Sequence, residues 1–587
     1  MMLLFTAVSP AAAASFTVDD AGDASDDDTG DGLCETAGSV CTLRAAIEQA
    51  NALGGSHTVT VGVAGPIVIN GEMAVTSAIT LNGGGVTVDG DFNGRIFNVT
   101  GSLSLFSITL THGGVSSTSP SGDGGAVYVN GGSLTVGAGA LLLFNYAGYG
   151  AGAYVTNGGL VTVAGGALED NDSFEVGAGI FAFGSGTVVR ITSGTLFRNI
   201  GGRGGGIFAS GGAFVDMQGG TLTTNDAGFQ QGGAVYLEDG ATMTMSGGTI
   251  TANTTTIGGG GIYAKDSGTV FTQTGGTITG NNGDTIGGGI MAQFSALIQL
   301  NGGSITSNTL VGAAWGAGVH LSFGADLTIN GGSISGHTAG ALFRGGGVYA
   351  TDAGTTVTLD SGSITGNSVS ELGGGLYLTS GASFTMNGGS LDTNNAGSTG
   401  GAIFATDSSS VTISGGTVND NTAGFAAGIY LGRALITYNS ASDGSAFYQD
   451  GGATTVGSSA IVCNNDAAVR YVGGSNMAMG NNWWGSTYGP YYATSTEGLQ
   501  CSTGDSLNTA AGLDNYGITV TTPSPDCLAT PLGNWQTSSP VPGAPALTEP
   551  SSISPRASAR VRKSRNTLDA STMLASKLMN SPKMSAR

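Results

Sequence analysis

The chain has 587 residues, of which 108 are glycine, 40% are hydrophobic and only 10% are charged, a balance opposite to that of disordered chains. Its net charge is −22, and the first 540 residues hold 37 acidic against 9 basic residues, a net charge of −28. A body with this charge should repel nucleic acids and anionic membranes. Since no stretch approaches the roughly 20 apolar residues of a membrane helix, we expect no transmembrane span.

The first residues predict secretion. Residues 1–14 are apolar and end in small side chains, which is typical of the end of a signal peptide, although the expected basic start is missing. On this pattern we assign residues 1–14 to the remnant of a signal peptide. A disordered N-terminus is the alternative.

An aspartate-rich segment follows. Oxygen-rich flexible loops of this kind bind Ca²⁺, so we consider Asp23, Asp26, Asp28 and Asp31 as metal ligands. Their spacing does not match an EF-hand, and a solvated acidic linker is the alternative. The sequence indicates no required cofactor. Ca²⁺ is the only ion for which it offers candidate ligands.

The five cysteines lie near the two ends of the chain. In an oxidising compartment we expect a disulfide between Cys34 and Cys41, and a second one within the group Cys463, Cys501 and Cys527. One cysteine of that group is then left over. The spacing fits no zinc-ligand pattern.

One helix is predicted directly after Cys41. Thr42 is a suitable N-cap, and Gly54 follows the helical pattern as a stop signal. Four apolar side chains fall on one face: Leu43, Ala46, Ile47 and Ala50. We expect this helix to close the N-terminal end of a hydrophobic core, within an N-terminal segment of residues 15–56.

A repeated element dominates the rest of the chain. It has the form Gly-x-Gly-aliphatic-aromatic, and its eleven spacings run from 26 to 29 residues. The aromatic position is occupied in turn by Tyr128, Tyr154, Phe181, Phe208, Tyr236, Tyr263, Met291, His320, Tyr349, Tyr377, Phe404 and Tyr430. A fixed period of this length is the signature of a solenoid, and propeller blades need longer repeats.

Two further marks recur with the same period. One is Ser/Thr-aliphatic-x-x-Asn, with aliphatics such as Ile250, Ile278, Ile305, Ile334 and Ile364. Its final position is occupied by Asn145, Asn171, Asn199, Asn225, Asn253, Asn281, Asn308, His337, Asn367, Asn394 and Asn421. The other is a short alternating run between the two marks. Each repeat therefore contains three strands of three to five residues.

Short alternating strands bury one face only, so the repeats must stack. We predict an all-β, right-handed, single-stranded parallel β-helix (a solenoid) with three short strands per coil of about 27 residues and a short N-terminal capping helix. The β-helix is expected over residues 57–445. Terminal coils with an aromatic cap are expected over 446–535, and a disordered basic tail over 536–587.

Residues 41–51, Cys-Thr-Leu-Arg-Ala-Ala-Ile-Glu-Gln-Ala-Asn, resemble the CSLREAI-type N-terminal motif of bacterial secreted right-handed parallel β-helix proteins. The repeats resemble those of polymorphic outer-membrane-protein-like adhesins, and residues 481–485, Asn-Asn-Trp-Trp-Gly, resemble a motif near the C-terminal end of such solenoids. The resemblance covers about residues 15–535. It implies a pectin-lyase-like fold, which pectate lyases and polygalacturonases share, but a fold does not fix a function.

No catalytic site is predicted. Lyases of this fold need Ca²⁺ held by acids and a basic residue, and glycosidases need paired carboxylates. The nearest candidates are Arg198 and Arg203 close to Glu169 and Asp170, and solvated turn residues are the simpler interpretation.

The histidines receive a structural interpretation. His337 and His320 replace repeat residues, and we expect structural roles for both. His112 and His57 have no partner that the sequence identifies.

Two surfaces remain as binding candidates. Trp483, Trp484 and Tyr488 could stack on sugar rings, although closure of the last coil is the alternative. Stacked Thr-x-Thr pairs, such as Thr249 with Thr251, would form a flat hydroxyl array like those of ice-binding solenoids.

We therefore expect a non-catalytic extracellular or surface protein, an adhesin or scaffold that binds glycans or cell-surface proteins and no nucleic acid. We expect it to be secreted or at the cell surface, bacterial extracellular or outer membrane. The alternative is a polysaccharide lyase or glycoside hydrolase of the same fold, and the third hypothesis is an ice-binding or Ca²⁺-stabilised structural protein.

Overall fold

A computed structural model of the chain describes residues 13–114, 122–311, 315–338, 344–407, 409–413, 415–425 and 427–428, and beyond them only short strands between 435 and 509. The described part is a parallel β-solenoid of about 12 turns with about 27 residues per turn, and all pairings between its strands are parallel. The prediction of a parallel β-helix is confirmed. The basic tail and the aromatic residues of the predicted C-terminal cap lie outside the described residues.

The repeated aromatic element forms one continuous 13-stranded sheet, which we call the aromatic sheet. Each coil contributes one strand, and neighbouring strands pair in register, as in the pairing of Tyr236 with Tyr263. The strands are Met73–Val75, Phe97–Val99, Val127–Asn130, Ala153–Thr156, Ile180–Phe183, Ile207–Ser210, Val235–Leu237, Ile262–Lys265, Ile290–Gln293, Val319–Ser322, Val348–Ala350, Leu376–Leu378 and Ile403–Ala405.

The other two strands of each coil belong to a 26-stranded sheet. In several coils they join into one bent strand of ten or more residues, such as Leu297–Thr306. The strands are Ser15–Val18, Ser56–Val61, Ile67–Val68, Ala78–Asp89, Ser102–Thr111, Ser133–Val136, Leu141–Leu143, Leu160–Glu169, Val188–Phe197, Phe214–Met217, Thr221–Thr223, Thr242–Met245, Thr249–Thr251, Val270–Gln273, Thr277–Thr279, Leu297–Thr306, Asp326–Ser335, Thr356–Thr365, Ser383–Met386, Ser390–Asp392, Ser410–Ile413, Thr417–Asn419, Leu435–Thr437, Ala453–Val456, Ala460–Ile461 and Ala478–Met479.

Three small sheets of three strands complete the described structure. They are Tyr146–Tyr149, Asp172–Val176 and Ile200–Arg203; Ser368–Val369, Asn395–Thr399 and Thr422–Phe425; and Phe447–Asp450, Val469–Gly473 and Leu507–Thr509. The first two lie in the segment between the asparagine position and the next aromatic strand, so some coils carry a fourth short strand there.

The core is a stack of aliphatic side chains inside the coil. Ile250 pairs with Ile278, and Ile278 pairs with Ile305, so that identical side chains contact one another about 4.8 Å apart along the axis. The five isoleucines predicted to form this inward row are fully buried. Because strand residues alternate between faces, the threonines beside them point outward.

The repeated aromatic side chains form a second apolar layer on the outside of the aromatic sheet. Phe208 and Tyr236 are 3% exposed, and their ring centroids lie 4.8 Å apart. They are buried by the segments that follow the asparagine turns, which contribute Val176 and Ile286 to a cluster separate from the main core. His320 belongs to this stack, with its ring 5.1 Å from Tyr349.

The predicted asparagines form a continuous buried ladder, which we call the asparagine ladder. Asn225 donates from both its backbone N–H and its Nδ2 to Oδ1 of Asn253, at 2.9 Å in each case. Its Nδ2 also donates to the carbonyl oxygen of Leu196 in the coil before. The same pattern recurs along the column, so each side chain joins three consecutive coils.

His337 takes the place of one asparagine in this ladder. Its Nδ1 accepts the backbone N–H of Asn308 at 3.1 Å, and its Nε2 lies 3.1 Å from the carbonyl oxygen of Ile305. This pattern requires the neutral ring with the proton on Nε2. Burial lowers the pKa of His337 to about 4.

The helix Leu43–Leu53 closes the N-terminal end of the core, as predicted. The Thr42 side chain accepts the N–H of Ala45, and Gly54, with φ at +62°, ends the helix in a conformation that favours glycine. Arg44 and Asn51 join the helix to the first coil through hydrogen bonds to backbone groups at residues 71–72 and 74–77.

The predicted disulfide between Cys34 and Cys41 is present. It closes a short loop that is tied to the first strand, because Asp19 accepts the backbone N–H of Cys41 and donates its own N–H to the Cys41 carbonyl. Among the described residues, no helix is long and apolar enough to cross a membrane.

His337→Asn should remove one source of the pH dependence of the solenoid's stability. A folded-state pKa of about 4 lies below the ordinary value of 6.5, so the contribution of neutral His337 is complete above pH 6.5 and is lost as the pH falls to about 4. The loss amounts to about 3 kcal/mol. Hydrogen exchange at residues 304–308 should accelerate between pH 7 and 4.5, relative to the intrinsic rate, in the natural protein and not in the variant. Equal acceleration in both would contradict this prediction.

Removal of the disulfide should loosen the cap locally. We expect the double variant Cys34→Ser with Cys41→Ser to lower the free energy of unfolding of the cap by about 2 kcal/mol, because the loop gains conformational entropy in the unfolded state. Amide exchange in the helix Leu43–Leu53 should increase while exchange in Thr249–Thr251 stays unchanged. Reduction of the natural protein serves as the control and should give the same pattern; unchanged protection of the helix would refute the prediction.

Candidate binding groove

The residue before each ladder position lies in an exposed turn and has a left-handed backbone conformation. In the N-terminal coils this position carries large or charged side chains, namely Phe144, Asp170 and Arg198, with φ between +50° and +55°. Further along, it carries small ones such as Ala252 and Gly280. Left-handed conformations are unfavourable for bulky residues, so the repeat holds Phe144 and Arg198 in a conformation that it also imposes on Thr224, Ser307 and Thr393 further along.

Phe144, Asp170 and Arg198 line a groove with a volume of about 600 Å³, which we call the N-terminal groove. The volume lies within the range of ordinary small-ligand sites. Its walls come from five consecutive coils and are formed by Phe92, Gly114, Phe144, Asn145, Tyr146, Asp170, Asn171, Asp172, Arg198 and Ile200. The ladder residues Asn145 and Asn171 are buried in the ladder, so the other side chains are the ones available to a ligand.

Arg198 holds two carboxylates on the preceding coil. Its Nε and Nη2 donate to the two oxygens of Asp170 at 2.7 and 2.6 Å, and Nη2 also donates to Glu169 at 2.6 Å. The guanidinium lies 4.0 Å above the Phe197 ring. One positive charge is therefore shared by two negative ones, and this cluster keeps a net charge of −1.

Asp172 adds a further negative charge to the groove. It pairs in register with Tyr146 of the coil before and Ile200 of the coil after. Desolvation by the surrounding protein raises the pKa of the Asp172 carboxyl, although the residue is exposed. Within the described residues, no basic side chain forms an ion pair with it.

Large apolar side chains stay exposed at the rim of the groove. Phe92 is 57% exposed, and Phe144 and Ile200 are each 51% exposed. Three exposed apolar groups thus surround one concave site, and exposed apolar groups next to polar ones mark binding sites.

Beside the groove, His112 has a partner that the sequence did not identify. Its Nδ1 lies 3.1 and 3.2 Å from the two oxygens of Asp89, and its ring lies 4.9 Å from that of Phe92. Asp89 and His112 belong to successive coils, 23 residues apart. The repeat period was the signal that could have predicted this pair, since residues one coil apart are neighbours.

The predicted cluster of basic and acidic residues is brought together only in part. Arg198 binds Glu169 and Asp170, as their separation of about one coil suggested. Arg203 lies elsewhere, since it bonds to Gln230 and approaches the Tyr236 ring.

The four aspartates proposed as Ca²⁺ ligands have separate roles. Asp23 forms a bidentate ion pair with Arg44, while Asp26, Asp28 and Asp31 each accept the N–H of the residue two positions later. Within the described chain, no group of three or more His, Cys, Asp or Glu side chains is placed to hold a metal ion. The structure therefore gives no geometric support to a Ca²⁺ site at these residues.

Other predicted surfaces have different outcomes. Trp483, Trp484 and Tyr488 lie outside the described residues, and so do the three C-terminal cysteines. The hydroxyl pairs do align between coils, for example Thr221 with Thr249 and Thr249 with Thr277, and they are partly exposed. Ice binding by this array stays a prediction.

No protein-family model, no curated protein and no solved structure matches this chain. The family resemblance of the repeats therefore stays an expectation. The β-solenoid itself is shown by the parallel pairing of successive coils. The groove offers exposed rings and hydrogen-bonding carboxylates, which together suit a polar ligand with flat apolar faces.

Asp172→Asn should stabilise the protein at neutral pH. Because the folded state raises the pKa of this carboxyl, its ionised form opposes folding above that pKa, and the effect disappears at pH 3 where the group is protonated in both states. Denaturant unfolding should therefore show a higher midpoint for the variant at pH 7 and equal midpoints at pH 3. A lower midpoint at pH 7 would show that the carboxylate has a stabilising partner.

Proposed function

We propose that this chain is a secreted, non-catalytic adhesin or scaffold that binds glycan chains in the N-terminal groove. The observation that carries the proposal is the pair of exposed rings, Phe92 and Phe144, at the rim of a concave site that also contains charged groups. Sugar rings present one apolar face and a periphery of hydroxyls, so they fit a site with exposed aromatic faces and polar side chains.

Three further observations support the extracellular part of the proposal. The cap contains a disulfide, which persists in oxidising compartments. Residues 1–14 have the apolar character of a signal peptide. The capping sequence and the repeats resemble those of bacterial secreted β-helix proteins and outer-membrane-protein-like adhesins.

The charge of the groove restricts the class of glycan. Arg198 is shared between Glu169 and Asp170, and Asp172 adds another negative charge. The polyuronates cleaved by enzymes with a pectin-lyase-like fold are polyanions, and this groove repels them. Neutral or cationic glycans are therefore the proposed ligands.

Hydrolysis is the second candidate, and one observation favours it. The raised pKa of Asp172 is a property of general acids in glycosidases. Such enzymes also need a second carboxylate that acts as base or nucleophile, but Glu169 and Asp170 are both engaged by Arg198. We therefore place binding before catalysis.

A glycan array with the full chain tests the proposal. We expect saturable binding of neutral or amino-containing glycans, and we expect Phe92→Ala with Phe144→Ala to weaken it at least about fivefold, because each lost ring contact is worth about 0.5–1.5 kcal/mol. Phe294→Ala with Phe323→Ala is the matched control. These two stacked rings are also exposed, at 48% and 41%, but they lie outside the groove.

Two results would overturn the proposal. Unchanged glycan binding in the Phe92 and Phe144 double variant would exclude the groove as the site. Release of new reducing ends from a bound polysaccharide, lost in Asp172→Asn, would replace the adhesin with a hydrolase.

A further inference from the structure

One carboxylate of the N-terminal groove, that of Asp172, forms no ion pair with any described residue. Arg198 is the only basic side chain among the residues described as lining the groove, and its hydrogen bonds go to Glu169 and Asp170. Asp172 lies one coil from both Tyr146 and Ile200, so the two residues beside it along the axis are an aromatic and an aliphatic one. A cation bound by Asp172 would therefore have an aromatic residue, Tyr146, on the coil before it.

We infer that Asp172, with the rings of Phe144 and Tyr146, forms a subsite for a protonated amino group, and that the groove selects glycans with unacetylated amino sugars. The inference rests on the proposed glycan binding and makes it specific. An ammonium group gains an ion pair with Asp172 and an attraction to the adjacent ring faces. An N-acetyl group at the same place gains neither.

The surrounding charges favour a cationic ligand. Glu169, Asp170 and Asp172 outnumber Arg198, and the first 540 residues carry a net charge of −28. A field of this sign concentrates cations near a cleft and raises their rate of association. It also explains why the groove holds its single arginine in ion pairs, since the guanidinium is then not available to bind an anion.

The dimensions favour a sugar over a basic protein surface. A volume of about 600 Å³ is typical of a small-ligand cleft and holds a few sugar rings. A stable protein partner would need about 800 Å² of contact on each side, much of it beyond this groove. Metal ions are a poorer fit, because no group of three metal-ligating side chains occurs within the described residues.

Calorimetry with glucosamine tetramers and N-acetylglucosamine tetramers tests the subsite, at a pH where the free amines are protonated. We expect the full chain to bind the glucosamine tetramer about tenfold more tightly, a difference within the range of a cation held by a carboxylate and aromatic rings. The preference should shrink as salt increases, because an exposed charge interaction is screened. In Asp172→Asn the preference should disappear while N-acetylglucosamine binding persists.

Asp226→Asn is the matched control. Asp226 occupies the coil position of Asp172, two coils further along, and its Oδ1 accepts the N–H of Gly228, which an asparagine can also do. It does not line the groove, so this variant should keep the full preference for amines. Loss of the preference in both variants would point to the general negative field and overturn the assignment to Asp172.

The remaining outcomes separate the subsite from the proposed function. Equal affinity for the two tetramers, with binding lost in Phe92→Ala plus Phe144→Ala, would overturn the amine subsite and leave glycan binding intact. No binding of any glycan on the array would overturn the proposed function as well. Asp172-dependent binding of a lysine-rich peptide, without sugar binding, would replace the amino sugar with a protein partner.

Discussion

The structure depends on the return of each coil to the same place over the coil before it, because parallel strands can pair only when equivalent residues of successive coils, about 27 residues apart, lie side by side. The asparagine ladder enforces this return. Each amide joins three consecutive coils through buried hydrogen bonds, and the contacts of Asn225 with Asn253 and Leu196 are repeated along the column. A coil of the wrong length would leave these buried groups without partners, at a cost of roughly 1–3 kcal/mol for each group. His337 fills the same position, but only as a neutral ring.

This regular frame makes departures from the repeat visible, and the candidate groove is one of them. The turn before the ladder needs a left-handed residue, and most coils supply a small or polar one such as Ala252, Gly280 or Ser307. Where Phe144 and Arg198 stand there instead, on either side of Asp170, the frame holds two bulky side chains in a conformation that is unfavourable for them. Rigid coils thus place groups from distant parts of the chain about 4.8 Å apart, which is how Asp89 meets His112 and Arg198 meets Asp170.

Two separate apolar layers stabilise the stack of coils. The inner one is the aliphatic stack, and the outer one consists of rings such as Phe208 and Tyr236 under the segments that follow the ladder. The outer layer packs against those segments and holds them on the solenoid. Closure of the inner layer by the helix Leu43–Leu53 protects the open strand edges at that end from pairing with other chains.

The sequence by itself determined the solenoid, its coil length, the inward isoleucines, the ladder and the capping helix, because each of these features repeats or has a local signal. The Thr42 cap and the disulfide between Cys34 and Cys41 were predicted correctly for the same reason. Only the tertiary structure decided which outward side chains meet. It tied Asp23 to Arg44, placed the repeated rings in a separate outer layer, and set Asp172 between Tyr146 and Ile200, with no ion pair to any residue that the structure describes. Contacts of this kind depend on the geometry of the turns and on the loops that cover the outer face of a sheet. The period of the repeat predicts neither of these.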